Sequence, residues 1–129
     1  MIHHIEINVS NLKESMEFWG WLLPELGYNE YQIWGEGRSW RKGESYIVFV
    51  QTESRFLDIP FHRGRSGLNH LAFYADSRKQ VDAITWQLQS RNIEVLYKDK
   101  HPYAGGPEHY AVYFEDPDRL KVEVVARKE

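Results

Sequence analysis

A strand followed by a helix occurs twice in this chain, and that recurrence constrains the fold more than any other feature of the sequence. In the first copy, Ile5, Ile7 and Val9 alternate with His4, Glu6 and Asn8. Alternation with period two is the pattern of a half-buried strand. Ser10 or Asn11 then offers a short side-chain oxygen to cap a helix. Leu12, Met16, Trp19, Leu22, Leu23 and Leu26 form its apolar stripe, Pro24 shortens or kinks the last turn, and Gly27 ends it. In the second copy Leu71, Phe73 and Ala75 alternate with His70, Ala72 and Tyr74. Asp76 or Ser77 caps a helix faced by Val81, Ile84 and Leu88. His4 and His70 therefore hold the same place in the two copies.

The segments after the two helices also match. Short strands are expected over Glu30–Trp34, Ser39–Arg41 and Tyr46–Gln51 in the first half, and over Glu94–Tyr97, Tyr110–Glu115 and Lys121–Val125 in the second. Asp116-Pro117-Asp118 marks a turn before the last strand. The expected fold is α+β: two paired β-α-β-β-β modules forming a cupped, mostly antiparallel sheet with the helices outside. The expected organisation is a single domain, with module 1 at about 1–54, a connector at 55–67 and module 2 at about 68–129.

Aligning the last strands of the two halves without gaps sets Val48 opposite Glu123. Val122 and Val124 belong to the helix-facing side, so Glu123 faces the other way. His4, His70 and Glu123 are thus three potential ligands on three strands, out of phase with the packed faces. Two imidazoles and one carboxylate make a facial triad that leaves about three positions open on a six-coordinate divalent ion. Substrate oxygens and water could bind the ion there. The alternative is a pair of structural histidines and a solvated strand glutamate. His3 is out of phase and is expected to pack or to face outward.

Composition narrows the chemistry. The 129 residues include no Cys, which excludes zinc fingers, iron–sulfur clusters and thiol nucleophiles. A metal would have to use His nitrogen and carboxylate oxygen, which suits Zn, Fe, Mn and Ni alike. The net charge is −3 and no basic run occurs, which argues against a nucleic-acid partner. The apolar run Tyr46–Val50 is far short of the ~20 residues that span a bilayer, so no membrane partner is expected. The opening Met1-Ile2-His3-His4-Ile5-Glu6 has neither a basic nor a long apolar region, so the expected location is cytoplasmic.

His4-Ile5-Glu6-Ile7-Asn8-Val9-Ser10-Asn11, then Ser15-Met16-Glu17-Phe18-Trp19 and Leu26-Gly27-Tyr28, resemble the opening of the vicinal oxygen chelate superfamily. Glyoxalase I, extradiol dioxygenases and bleomycin-resistance proteins belong to it. Leu68-Asn69-His70-Leu71-Ala72-Phe73 resembles the start of its second module. Phe114-Glu115-Asp116-Pro117-Asp118 through Lys121-Val122-Glu123-Val124-Val125 resembles its ending. The resemblance implies one divalent metal held by His4, His70 and Glu123, a small-molecule substrate, and a homodimer. It also implies a fourth ligand in ordinary glyoxalase I at the position of Val48, or of Gln51 if the register slips. Arg119 stands where the family's turn usually has Gly.

Strand phase puts Glu6, Asn8, Tyr74 and Lys121 on the ligand face, with Glu6 and Tyr74 as candidate proton-transfer groups. The loop His101-Pro102-Tyr103-Ala104-Gly105-Gly106-Pro107-Glu108-His109-Tyr110 could bring His101 to the chemistry and Tyr103 to the substrate; His109 is expected to begin a strand instead. The function expected is that of a small metal-dependent glyoxalase/dioxygenase-like enzyme. The alternative is a ligand-binding protein without turnover, with Trp34, Trp40, Tyr46 and Tyr103 as stacking faces.

Overall fold

In a computed structural model, which describes residues 1–128, the chain forms two compact units, Met1–Phe61 and the remainder from His62. The fold is α+β, with two helices and seven strands in two mixed sheets among the described residues. No helix among them is long and apolar enough to cross a membrane.

The first unit runs β1 (His4–Val9), α1 (Leu12–Glu25), β2 (Asn29–Trp34), β3 (Gly37–Lys42) and β4 (Ser45–Gln51), with sheet order β1-β4-β3-β2. β1 and β4 are parallel, and the other neighbours are antiparallel. Asn11 is the helix cap, its side chain accepting from the Glu14 N–H. The Gln51 amide joins it there: Oε1 accepts from the Leu12 N–H at 2.8 Å and Nε2 donates to the Ser10 carbonyl at 2.9 Å. α1 continues through Pro24 and gives way at Gly27, whose φ of +89° is costly for any residue with a Cβ.

The core of this unit is aromatic. Trp19 is fully buried and packs on Phe49 at 5.0 Å between centroids, with Trp40 edge-on to Phe49. Trp40 therefore belongs to the helix side of the sheet; it is 5% exposed and offers no stacking face to a ligand. Ser15, on the buried face of α1, has a hydroxyl with no hydrogen-bond partner among the described residues. Ser15→Ala removes that unpaired group and adds the best helix former. It should raise stability by about 1 kcal/mol, read as a higher urea midpoint with an unchanged slope.

The second unit runs β5 (His70–Ala75), α2 (Arg78–Ser90), β6 (Ala111–Glu115) and β7 (Lys121–Ala126), with sheet order β5-β7-β6. Ser77 caps α2 by accepting from the Gln80 N–H. Val81, Ile84 and Leu88 are buried beneath it, as are Val112, Phe114, Val122 and Val124 from the strands. The fourth strand expected over Glu94–Tyr97 does not form. Val95 is buried and the Leu96 N–H bonds to the Tyr113 carbonyl, but Tyr97 has φ of +57° and the chain turns away.

The turn into β7 is built by Asp116, whose Oδ1 accepts from the N–H groups of Asp118 and Leu120 at 2.9 and 2.8 Å. Arg119 within it has φ of +64°, the left-handed conformation that costs a non-glycine residue about 1 kcal/mol. Arg63 closes over the same turn, paired with Glu115 and with the Arg119 carbonyl.

Candidate metal-binding and catalytic site

In each unit, the sheet face opposite the helix carries the polar side chains. In the second unit the registers Ala72↔Glu123 and Tyr113↔Glu123 put Glu123 on the central strand, between β5 and β6. Alternation along β6 turns Val112 and Phe114 to the helix and Tyr113 to Glu123's face. Glu123 is 5% exposed, so its carboxylate needs partners. It has two histidines. His70 Nε2 lies 3.3 Å from Oε1, and His109 Nε2 lies 2.5 Å from Oε2.

The outer nitrogen of His70 is held as well. Nδ1 is 2.7 Å from Asn69 Oδ1. With that oxygen accepting, Nδ1 carries the proton, and in the neutral ring Nε2 presents its lone pair toward Glu123. A hydrogen bond of this kind on the far nitrogen is how proteins orient metal-binding imidazoles. Two acceptors facing each other at 3.3 Å call for a proton or a cation between them. The spacing also suits adjacent ligands on a six-coordinate ion, which at bonds of ~2.1 Å lie about 3 Å apart. His70 and Glu123 therefore fit a divalent cation by donor type and by spacing. Among the described residues, no group of three or more His, Asp or Glu side chains is gathered so that it could hold a metal ion as the side chains stand.

Tyrosines and one lysine complete this face. The Tyr113 hydroxyl is pushed up to about 12 by burial and by the neighbouring Glu123 carboxylate, so it stays a proton donor at neutral pH. Lys121 Nζ donates to the Tyr97 hydroxyl at 3.2 Å and lies over the Tyr97 and Tyr113 rings. Tyr74 shares the face of His70 on β5, with the Arg127 guanidinium 4.2 Å above its ring.

The loop before β6 behaves differently from expectation. His101 lines a cavity with Thr85 and Gln89 of α2, and burial there lowers its pKa. Tyr103 sits edge-on to Tyr110, whose hydroxyl donates to Asp82 of α2 at 2.5 Å. Both residues thus belong to the helix side. The loop histidine that reaches Glu123 is His109. Sequence reasoning passes over it by reading it into the start of the strand. The strand begins at Ala111, which leaves His109 free to turn across the sheet. Tyr113 escapes sequence reasoning too, although its parity with Glu123 can be read from the alternation of Val112 and Phe114.

In the first unit His4, Glu6 and Asn8 are exposed on β1, paired with Tyr46, Val48 and Val50. His4 stacks on Tyr46 at 4.7 Å, and its Nδ1 lies 2.8 Å from His3 Nδ1. The register Glu6↔Val48 repeats Ala72↔Glu123, so Val48 is the counterpart of Glu123. Gln51 is not: its side chain is spent on the start of α1.

These topologies and motifs define a class, and comparison with known proteins names it. The chain belongs to the Glyoxalase/Bleomycin resistance protein/Dioxygenase superfamily, which it matches over residues 1–124. Proteins of this superfamily generally use a divalent metal and typically bind small molecules. The chain is 57% identical over 125 residues to the uncharacterized Bacillus subtilis (strain 168) protein YqjT, covering 97% of this chain and 98% of that one. It is 59% identical to a candidate glyoxalase from Bacillus halodurans known from a crystal structure, with a TM-score of 0.97 and coverage of 98% and 96%. Lactoylglutathione lyase from Agrobacterium tumefaciens shares the fold at 23% identity, with a TM-score of 0.65 and coverage of 98% and 92%.

Proposed function

We propose that this protein is a small metal-dependent enzyme of the glyoxalase/dioxygenase type, with His4, His70 and Glu123 as ligands of one divalent ion (Zn, Fe, Mn or Ni). The observation that carries the reading is the buried Glu123 carboxylate, with His70 Nε2 at 3.3 Å and that ring's Nδ1 2.7 Å from Asn69 Oδ1. His4 joins them as the counterpart of His70 in the repeated strand. When bound, the ion would supply Lewis acidity, chelating two neighbouring substrate oxygens and stabilising negative charge that develops on them.

The rest of the chemistry belongs to the chain's own side chains. Glu6, on the face of His4, and Tyr74, on the face of His70, are the groups proposed to move protons. Asn8 offers an amide to a polar substrate group. The Lys121 ammonium, held over two tyrosine rings, offers a positive charge to a substrate oxyanion. Tyr113, kept protonated, holds the Glu123 carboxylate in place. His101 and Tyr103, on the helix side, take no part in this assignment. Val48 at the counterpart of Glu123 supports a three-ligand site and a reaction other than that of ordinary glyoxalase I. The homodimer and the cytoplasmic location are parts of the same reading.

The test is metal analysis of tag-free protein, with melting curves in added Ni, Mn, Fe or Zn. One equivalent of bound metal and a raised melting temperature are expected; at free metal 100 times the dissociation constant the gain is about 2.7 kcal/mol. Metal-free protein whose melting no metal shifts would instead fit a ligand-binding protein without turnover.

A further inference from the structure

We infer that His109 is a positioning residue of this site, alongside Tyr113: by donating to Glu123 Oε2 it reserves Oε1 for the cation that Oε1 would share with His70. The inference rests on the metal reading above and adds to it a residue outside the proposed ligand set. Its ground is a difference between two spacings. His70 Nε2 stands 3.3 Å from Oε1, close to the separation of neighbouring ligands on one ion. His109 Nε2 stands 2.5 Å from Oε2, too close for two ligands of one ion and in direct donor–acceptor contact, tighter than the ~2.7–2.9 Å of an ordinary charge-assisted N–H···O bond. The two oxygens of Glu123 therefore have separate tasks.

The loop is built to make this contact. The Ala111 N–H bonds to the Pro102 carbonyl and the His109 N–H to the Gly106 carbonyl, which folds residues 102–111 back on themselves. Gly105 lies directly against the imidazole: a Cβ there would come within 2.4 Å of His109 Cδ2 and 2.8 Å of the Tyr113 hydroxyl. Only a residue without a side chain lets the loop approach this closely. The consequence for chemistry is denticity. With Oε2 held by His109, Glu123 would offer an ion one oxygen. A six-coordinate ion with three protein ligands then keeps about three positions for substrate and water, whereas a bidentate carboxylate would take one of them.

The test uses the full chain and Co(II) as probe, monitored by titration calorimetry and by visible absorption, which reports coordination number. His109→Leu should weaken Co(II) binding by about 10–100-fold and change the visible spectrum, as the freed carboxylate turns both oxygens inward. His109→Gln, whose amide can donate from nearly the same place, should restore affinity to within about threefold of wild type and should restore the spectrum. Gly105→Ala reaches the same contact from the loop, leaves every donor in place and should weaken binding in the same direction. The inference is overturned if His109→Leu matches wild type in affinity and spectrum, if Gln is no better than Leu, or if Gly105→Ala binds as wild type does. In each of those outcomes wild type binds Co(II), so the metal reading stands. Wild-type protein that takes up no Co(II) overturns both.

Discussion

Glu123→Gln is expected to reduce divalent-metal affinity by more than about 100-fold while leaving the protein folded. The lower bound comes from the behaviour of metal sites: losing a group that merely supports a ligand costs about 10–100-fold, and a charged ligand is worth at least that. Folding should survive because the change is nearly isosteric and the amide oxygen can still accept from His109. The result would be read by calorimetric titration with Ni or Co(II), alongside far-ultraviolet circular dichroism. A Gln variant that binds as tightly as wild type would remove Glu123 from the ligand set. His4→Ala and His70→Ala, measured in the same way, apportion the remainder of the site.

The largest effect on stability is expected at Trp19. Its side chain is fully buried, edge-on to Phe18 and packed on Phe49. Trp19→Ala removes that area and leaves a cavity among rigid aromatic rings, at a cost of about 3–5 kcal/mol. For a chain of this length the melting temperature should fall by roughly 10–20 °C. Trp86, also on a helix but 68% exposed, is the control: Trp86→Ala should change stability by less than about 0.5 kcal/mol. Equal losses at the two positions would show that the Phe18–Trp19–Phe49 cluster does not hold the first unit together.

The parts of this molecule that sequence makes legible are those set by period. Alternation with period two locates β1 and β5 and sets the outward phase of His4 and His70. Short polar side chains at the helix starts narrow each cap to two residues, Ser10 or Asn11 and Asp76 or Ser77, and the second of each pair is the cap. Gapless alignment of the last strands pairs Val48 with Glu123, and the two strand registers agree.

The failures lie where a single backbone angle or the start of a strand decides. Glu94-Val95-Leu96-Tyr97 has the composition of a strand, but the left-handed angle at Tyr97 ends it before a ladder can form. Trp40 reads as a pocket residue from its type alone, because exposed aromatics often line pockets. It lies on a central strand whose helix-facing side is closed by α1, so burial comes from its neighbours rather than from its own identity. His109 is lost by being read into the start of β6, which begins at Ala111. The loop's folding, which no periodic pattern reports, then decides which of its two histidines meets the carboxylate.

Val48 and Glu123 occupy equivalent positions in two related sheets and are almost equally buried, at 4% and 5% exposed. One costs nothing to bury; the other is an anion that must be answered. The answer comes from its own unit: the His109 imidazole and the Tyr113 hydroxyl donate to the carboxylate in the fold as it stands. If the proposed ion binds, loading would therefore come after folding instead of driving it, unlike small zinc domains that take shape only around their metal. Under the proposed metal reading, the asymmetry between the halves would separate assembly from activation: a chain already shaped could wait for its cation.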